Sequence, residues 1–325
     1  MSMFHRILVP VDFSPFSLQA LRYGCALARQ DQAPLYLLHV VQDLVPIGIG
    51  GGGIASPSAA QYVSEIEKGA GEALAQVPSR SWMHGLTVLR QTIIGSPAER
   101  IVEFARSNDV DLICVGTHGR GGLNRFLLGS VAEKVVQHSA CKVLVVRRRE
   151  REFVTAESET PTLRRILVPI DFSETGRAAL EAGADLASRF GAELHLLHVV
   201  EDSSPAVSEI ALAYPVFQSY VHEMVRKGEM QLRELSLPQA LPSKPIHRKV
   251  MIGAPIDKIN DYAEEQDIDL IVIGTHGRTG PSHWLLGSVA ERVVRSAPCP
   301  VLVTPLPKGR SGGPSLKTKQ AAAVF

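Results

Sequence analysis

The chain has 325 residues, 45% hydrophobic and 21% charged, enough to bury two ordinary cores. Its net charge is +1, with 15 basic and 12 acidic residues over 1–150 and 19 and 21 over the rest, so neither half carries a nucleic-acid-binding surface. There is no apolar run of about 18 residues to span a membrane. The opening MSMFHRILVP enters a strand pattern at once and leaves no room for a signal peptide. The four cysteines (Cys25, Cys114, Cys141 and Cys299) lack C-x-x-C spacing and read as free thiols of a reducing, cytoplasmic compartment.

Ile7–Val11 is an apolar run of the kind buried on both faces of a parallel sheet. Ser14 followed by Pro15 is a helix start, a hydroxyl cap before a proline at the first helical position, and that helix runs to about Gln30. Leu35–Val41 is a second strand. The five glycines within 48–53 form a loop, read as a surface insertion or as a lid over a site in the first half. A helix over 58–76 and a strand over 86–93 follow. Ser96-Pro97 opens another helix, which ends near Asn108. Leu112–Val115, a helix over 130–138 and Lys142–Val146 complete the set.

The same order then returns. ILVPVDFS at Ile7 recurs as ILVPIDFS at Ile166, and LYLLHVV at Leu35 as LHLLHVV at Leu194. Between Asp111–Val146 and Asp269–Thr304, 22 of 36 positions are identical. Each copy is long enough to be a domain, so the chain is a tandem duplication rather than a solenoid. Alternating strands and helices predict α/β domains with a doubly wound parallel sheet. The expected division is a first domain over 1–148, a charged linker over 149–163, a second domain over 164–307 and a disordered tail over 308–325.

One pattern carries chemistry. Gly116, Gly119 and Gly129-Ser130 are separated by two and nine residues, and Gly274, Gly277 and Gly287-Ser288 repeat that spacing. Each begins at the end of a fourth strand and finishes at a helix start. Glycines there let backbone approach a ligand closely, and free amides at a helix N-terminus favour an anion. The competing reading is a capping box, since Ser130-Val131-Ala132-Glu133 and Ser288-Val289-Ala290-Glu291 both fit that motif. Asp12 and Asp171 close the first strands, where a carboxylate accepts bonds either from a ligand or from its own turn.

The ILVPVDFS opening, the LLHV second strand and G-x-x-G-(nine residues)-G-S, taken together, resemble the universal stress protein family over both halves. The resemblance implies two tandem Rossmann-like (adenine nucleotide alpha hydrolase-like) domains, each a five-stranded parallel sheet flanked by helices. It places the chain with the branch that binds ATP, or ADP or AMP, with Mg²⁺. By motif, Pro10, Asp12 and Val40 would line the adenosine in the first half, and Gly116, Gly119, Gly129, Ser130 and Val131 the phosphates. The matching residues of the second half are Pro169, Asp171 and Val199, then Gly274, Gly277, Gly287, Ser288 and Val289. Pro281 and Trp284 stand where the first copy has Leu123 and Phe126, which would make the second site the weaker one.

No G-x-x-x-x-G-K-[ST] segment is present, so this is not a P-loop NTPase. Arg120 and Arg278 are candidates to offset phosphate charge. No carboxylate in the glycine segment is placed to activate water, so turnover is expected to be slow or absent. His39, His118, His198 and His276 read as hydrogen-bonded structural residues, and no metal-ligand set is assigned. The expected function is a nucleotide-binding regulatory module of the stress response whose surface an unidentified protein partner reads; a slow ATPase or phosphoryl-transfer enzyme is the alternative. The family often pairs through its last strand. The two halves are therefore expected to meet through Lys142–Val146 and Pro300–Thr304 as an intrachain pseudo-dimer, with a homodimer as a further arrangement.

Overall fold

The computed structural model describes residues 3–42, 57–77, 82–117, 128–147, 151–155, 160–201, 215–237, 244–275 and 286–306, with backbone alone at 57–63 and 215–218. The first half runs β1 (Ile7–Pro10), α1 (Pro15–Asp31), β2 (Leu35–Val41), α2 (Pro57–Ala75), β3 (Val88–Ile94), α3 (Pro97–Ser107), β4 (Leu112–Gly116), α4 (Ser130–His138) and β5 (Lys142–Val146). The second runs β6 (Arg165–Pro169), α5 (Glu174–Phe190), β7 (Glu193–Glu201), α6 (Pro215–Glu234), β8 (Ile246–Gly253), α7 (Pro255–Glu265), β9 (Leu270–Gly274), α8 (Ser288–Ser296) and β10 (Val301–Thr304). These bounds lie within one or two residues of the expected ones. The apolar strand runs and the proline helix starts are local signals that survive in the folded chain.

All ten strands form one sheet in the order β3-β2-β1-β4-β5-β10-β9-β6-β7-β8. Within each half every pairing is parallel. At the centre β5 and β10 pair antiparallel, with Val143 opposite Val303, Leu144 opposite Leu302 and Val145 opposite Val301. The last strands therefore lie together as expected, and each covers an apolar edge the other would otherwise expose.

Two apolar layers sandwich the sheet. One packs α1 and α5 against one face of the sheet, and takes in Leu21, Leu35 and Leu144 from the first half with Leu180, Leu194 and Leu302 from the second. The other packs Ile101, Val135 and Val145 beside Ile259, Val293 and Val301 under the α3, α4, α7 and α8 helices. Both layers run across the β5–β10 seam, so the halves share their cores.

The segment between the halves is more than a charged connection. Phe153 and Val154 are buried in the first layer, and Phe153 sets its ring edge-on to Tyr23 at 4.7 Å. Arg151 donates to the carbonyls of Ala263 and Glu264 at the end of α7 and pairs with Asp267 at 2.5 Å. The apolar pair was hidden in sequence by its charged neighbours. Among the described residues Cys25, Cys114 and Cys299 are buried and in no disulfide, and burial pushes the Cys114 thiol far above its ordinary range. No helix among the described residues is long and apolar enough to cross a membrane.

Candidate nucleotide site

In each half the chain lays β1 or β6 beside β2 or β7, then returns to the opposite side with β4 or β9. The strand order reverses at β1/β4 and at β6/β9, and ligands of open α/β sheets bind beyond the strand carboxyl ends at such a point. Pro10 closes β1, Asp12 follows it, Val40 lies near the end of β2, and Gly116 closes β4. Gly129 and Ser130 begin α4, whose N-terminus faces the same end of the sheet. Pro169, Asp171, Val199, Gly274, Gly287 and Ser288 occupy the corresponding places. The topology thus gathers these expected site residues at one edge in each half. Gly119, Arg120, Gly277, Arg278, His118, His276, Pro281, Trp284 and the glycine loop at 48–53 lie outside the described residues.

Gly116 has a packing task of its own. A Cβ there would sit 2.6 Å from the Phe16 carbonyl oxygen in the first turn of α1, and one on Gly274 would sit 2.7 Å from that of Thr175. The missing side chain lets a helix start press onto a strand end, the close approach being between backbones rather than to a ligand.

The serines depart from the capping-box reading. The N-cap of α4 is Gly129 and that of α8 is Gly287, which makes Ser130 and Ser288 the first helical residues, and neither helix start has a side-chain cap bond. The Gly129 carbonyl accepts from the Glu133 amide at 2.9 Å, while the Glu133 and Glu291 carboxylates both turn to Arg295, at 3.2 and 2.9 Å. Glu133 is thereby taken up in a bridge between halves instead of reaching back to its own helix. Ser130 and Ser288 are exposed. Val131 is exposed beside Ser130, and Val289 is half-buried. In each half the first-turn amides and one serine hydroxyl lie at the carboxyl edge of the sheet, where a helix dipole attracts negative charge.

Asp12 takes up the turn role in part. Its Oδ1 accepts from the Ser14 amide at 3.0 Å and the Ser14 hydroxyl at 2.6 Å, and Asp171 does the same with Ser173 at the same distances. This orients one carboxylate oxygen and helps hold the next residue. Phe13 and Phe172 have left-handed backbone, φ 65 and 63, a conformation that costs a bulky residue energy and is found at sites the surroundings over-determine. Each ring lies against a histidine, Phe13 on His39 at 4.6 Å and Phe172 on His198 at 4.8 Å. Those histidines are buried, and their Nδ1 atoms bond the carbonyls of Val11 and Ile170 at 2.6 and 2.7 Å. They are the structural histidines expected. The strained Phe13 and Phe172 were not singled out in sequence; the clue available was the identical Asp-Phe-Ser in both copies.

The sequence model of the Universal stress protein family matches residues 3–147 and again 162–305. The chain therefore belongs to the universal stress protein family and carries two tandem copies of its domain. A universal stress protein of Mycolicibacterium smegmatis is 29% identical over 303 residues, covering 91% of this chain and 96% of the relative. One from Mycobacterium tuberculosis is 30% identical over 307 residues, covering 92% and 96%. Among solved structures, a universal stress protein from Archaeoglobus fulgidus superposes with TM-score 0.64 at 25% identity, covering 93% of this chain and 96% of that one.

Proposed function

We propose that each half binds an adenine nucleotide, ATP or its ADP or AMP forms, at the carboxyl ends of its strands, and that the chain works as a regulatory binding module of the stress response with slow or no hydrolysis. The observation that carries this is the state of Ser130 and Ser288: exposed hydroxyls at helix starts, free of capping duty, beside first-turn amides at the switch point. Asp12 and Asp171, just after β1 and β6, would take the ribose or adenine in their own halves. Among the described residues, no group of three or more histidine, cysteine or carboxylate side chains gathers at this edge. Mg²⁺ would accordingly arrive on the nucleotide, held by phosphate oxygens and water, as is usual for that ion.

The sequence of the glycine segments offers no carboxylate evidently placed to activate water, which favours binding over turnover. Occupancy would then be the signal, read by a protein partner on the surface around the crevice. Calorimetric titration with Mg-ATP tests the reading. Two sites are expected, and Ser130→Asp should abolish one of them, because it sets a carboxylate where the phosphates lie while keeping a residue that suits a helix start. Unchanged binding in that variant would refute the site. Single-turnover hydrolysis well above the background rate would favour the slow ATPase instead.

A further inference from the structure

At the opposite ends of the strands the second half holds a side-chain set that the first half lacks. Glu193 opens β7, His195 stands two residues on, and His247 lies beside His195 on β8 in parallel register. Their ligating atoms lie within 4.8 Å of one another, and the His195 and His247 rings stack at 4.5 Å. Glu193 Oε2 is 3.4 Å from His247 Nε2 and 3.7 Å from His195 Nε2. Ligand atoms on a tetrahedral Zn²⁺ stand about 3.3–3.5 Å apart, given bonds of about 2.0–2.2 Å. The two Glu193–histidine distances are therefore within a few tenths of an ångström of that geometry, and the imidazole nitrogens, within 4.8 Å of each other, need a modest ring rotation to reach it.

His195 supplies the second observation. Its side chain is buried at 3% exposure, and its Nε2 has no hydrogen-bond partner. Buried polar atoms are normally satisfied, so an orphan aimed at a carboxylate and a second imidazole asks for an occupant. The other ring nitrogen, Nδ1, is 2.9 Å from the Tyr262 hydroxyl on α7. That bond fixes the ring with Nε2 turned to the cluster, the outer contact that metal-binding histidines usually have.

The corresponding positions of the first half are Pro34, Tyr36, Leu89 and, for Tyr262, Phe104, where Tyr36 meets Phe104 edge-on at 5.6 Å. An apolar contact fills this place in one copy, so the fold does not need imidazoles here.

We propose that Glu193, His195 and His247 bind a divalent transition-metal ion, Zn²⁺ by the two-imidazole, one-carboxylate donor set, with a fourth position open to water. Two imidazoles and a carboxylate suit this class rather than Mg²⁺ or Ca²⁺, which take oxygen ligands. Arg165, 3.8 Å from Glu193, gives way to the ion and keeps Asp267 and the Gln266 carbonyl as partners. His247 has an exposed side chain and closes on the ion by rotation. The ion ties edge strand β8 to β7, roughly 13 Å along β7 from Val199 and hence away from the nucleotide crevice.

The test uses full-length protein freed of metal with EDTA, titrated calorimetrically with Zn²⁺, with Co²⁺ absorption spectra as a second readout. The wild type should take up one more Zn²⁺ than His247→Leu or Glu193→Gln and should show the visible bands of a low-coordinate Co²⁺ site. His247→Leu restores the residue type of Leu89 at an exposed edge position, so its fold should persist. Tyr262→Phe, which matches Phe104, should weaken Zn²⁺ by about 10–100-fold without removing the site. Equal stoichiometry and affinity in wild type and His247→Leu would overturn the proposal, as would a wild type that binds no Zn²⁺ and gives no Co²⁺ bands.

Discussion

At the carboxyl ends of their strands the two halves are near copies, and at the amino ends of β2 and β7 they are not. Asp12 and Asp171 make the same bonds at the same distances, Phe13 and Phe172 share one strained conformation, and Gly116 and Gly274 meet the same turn of a neighbouring helix. At the other end Tyr36 and Leu89 occupy the places that His195 and His247 hold in the second half. The retained end carries the packing contacts and turn bonds that both copies need and the proposed nucleotide edge; the divergent end carries the proposed metal cluster in one copy and an apolar contact in the other.

The largest expected effect lies at the seam between the halves. Leu144 and Leu302 are cross-strand partners, each 2% exposed, and an aspartate at either would bury an unpaired charge. Each should cost more than about 3 kcal/mol. Urea unfolding followed by far-ultraviolet dichroism should show the two variants destabilised alike. A loss confined to one half would mean that the shared core does not couple them.

Gly116→Ala and Gly274→Ala come next. The atom each new methyl meets is a backbone carbonyl that cannot move cheaply, so each should cost about 1–3 kcal/mol in thermal or chemical unfolding. Equal losses would sharpen the view that these glycines serve helix packing. Loss of nucleotide affinity with full stability would assign them to the ligand instead.

Ser130→Asp and Ser288→Asp separate the two crevices. Each should weaken Mg-ATP at its own site by at least tenfold, about 1.4 kcal/mol, with no fall in melting temperature. If Ser288→Asp changes nothing while Ser130→Asp removes all binding, the second crevice does not bind, in line with the substitutions at Pro281 and Trp284.

The smallest effect compares two helix ends. α1 stops at Gln32 with φ 52, and α5 stops at Gly191 with φ 60, the same left-handed cap. Gln32→Gly should therefore stabilise the protein by about 1 kcal/mol, because glycine enters that region without a Cβ penalty. A neutral or negative change in calorimetric melting would show that Gln32 makes compensating contacts.

Sequence by itself determined the duplication, the α/β class and nearly every element boundary. Those rest on local patterns, such as four or five apolar residues for a strand buried on both faces, or Ser14-Pro15 for a helix start, and local patterns survive whatever the chain does elsewhere. It also marked Gly116, Gly129 and Asp12, with Gly274, Gly287 and Asp171, which the topology sets at the carboxyl edge of each half. Only the tertiary structure decided what those residues do. Ser130 fits a capping box on paper, yet Gly129 takes the cap and Arg295 from the other half draws Glu133 away. Phe153 and Val154 sit in a run of charges and are nonetheless buried. His195 and His247 are far apart in the chain, and neither carries a recognisable ligand spacing. They meet because parallel register sets β8 beside β7 and because α7 closes one face over His195. Contacts of that kind depend on register, layer and partner strand, which no window of neighbouring residues contains.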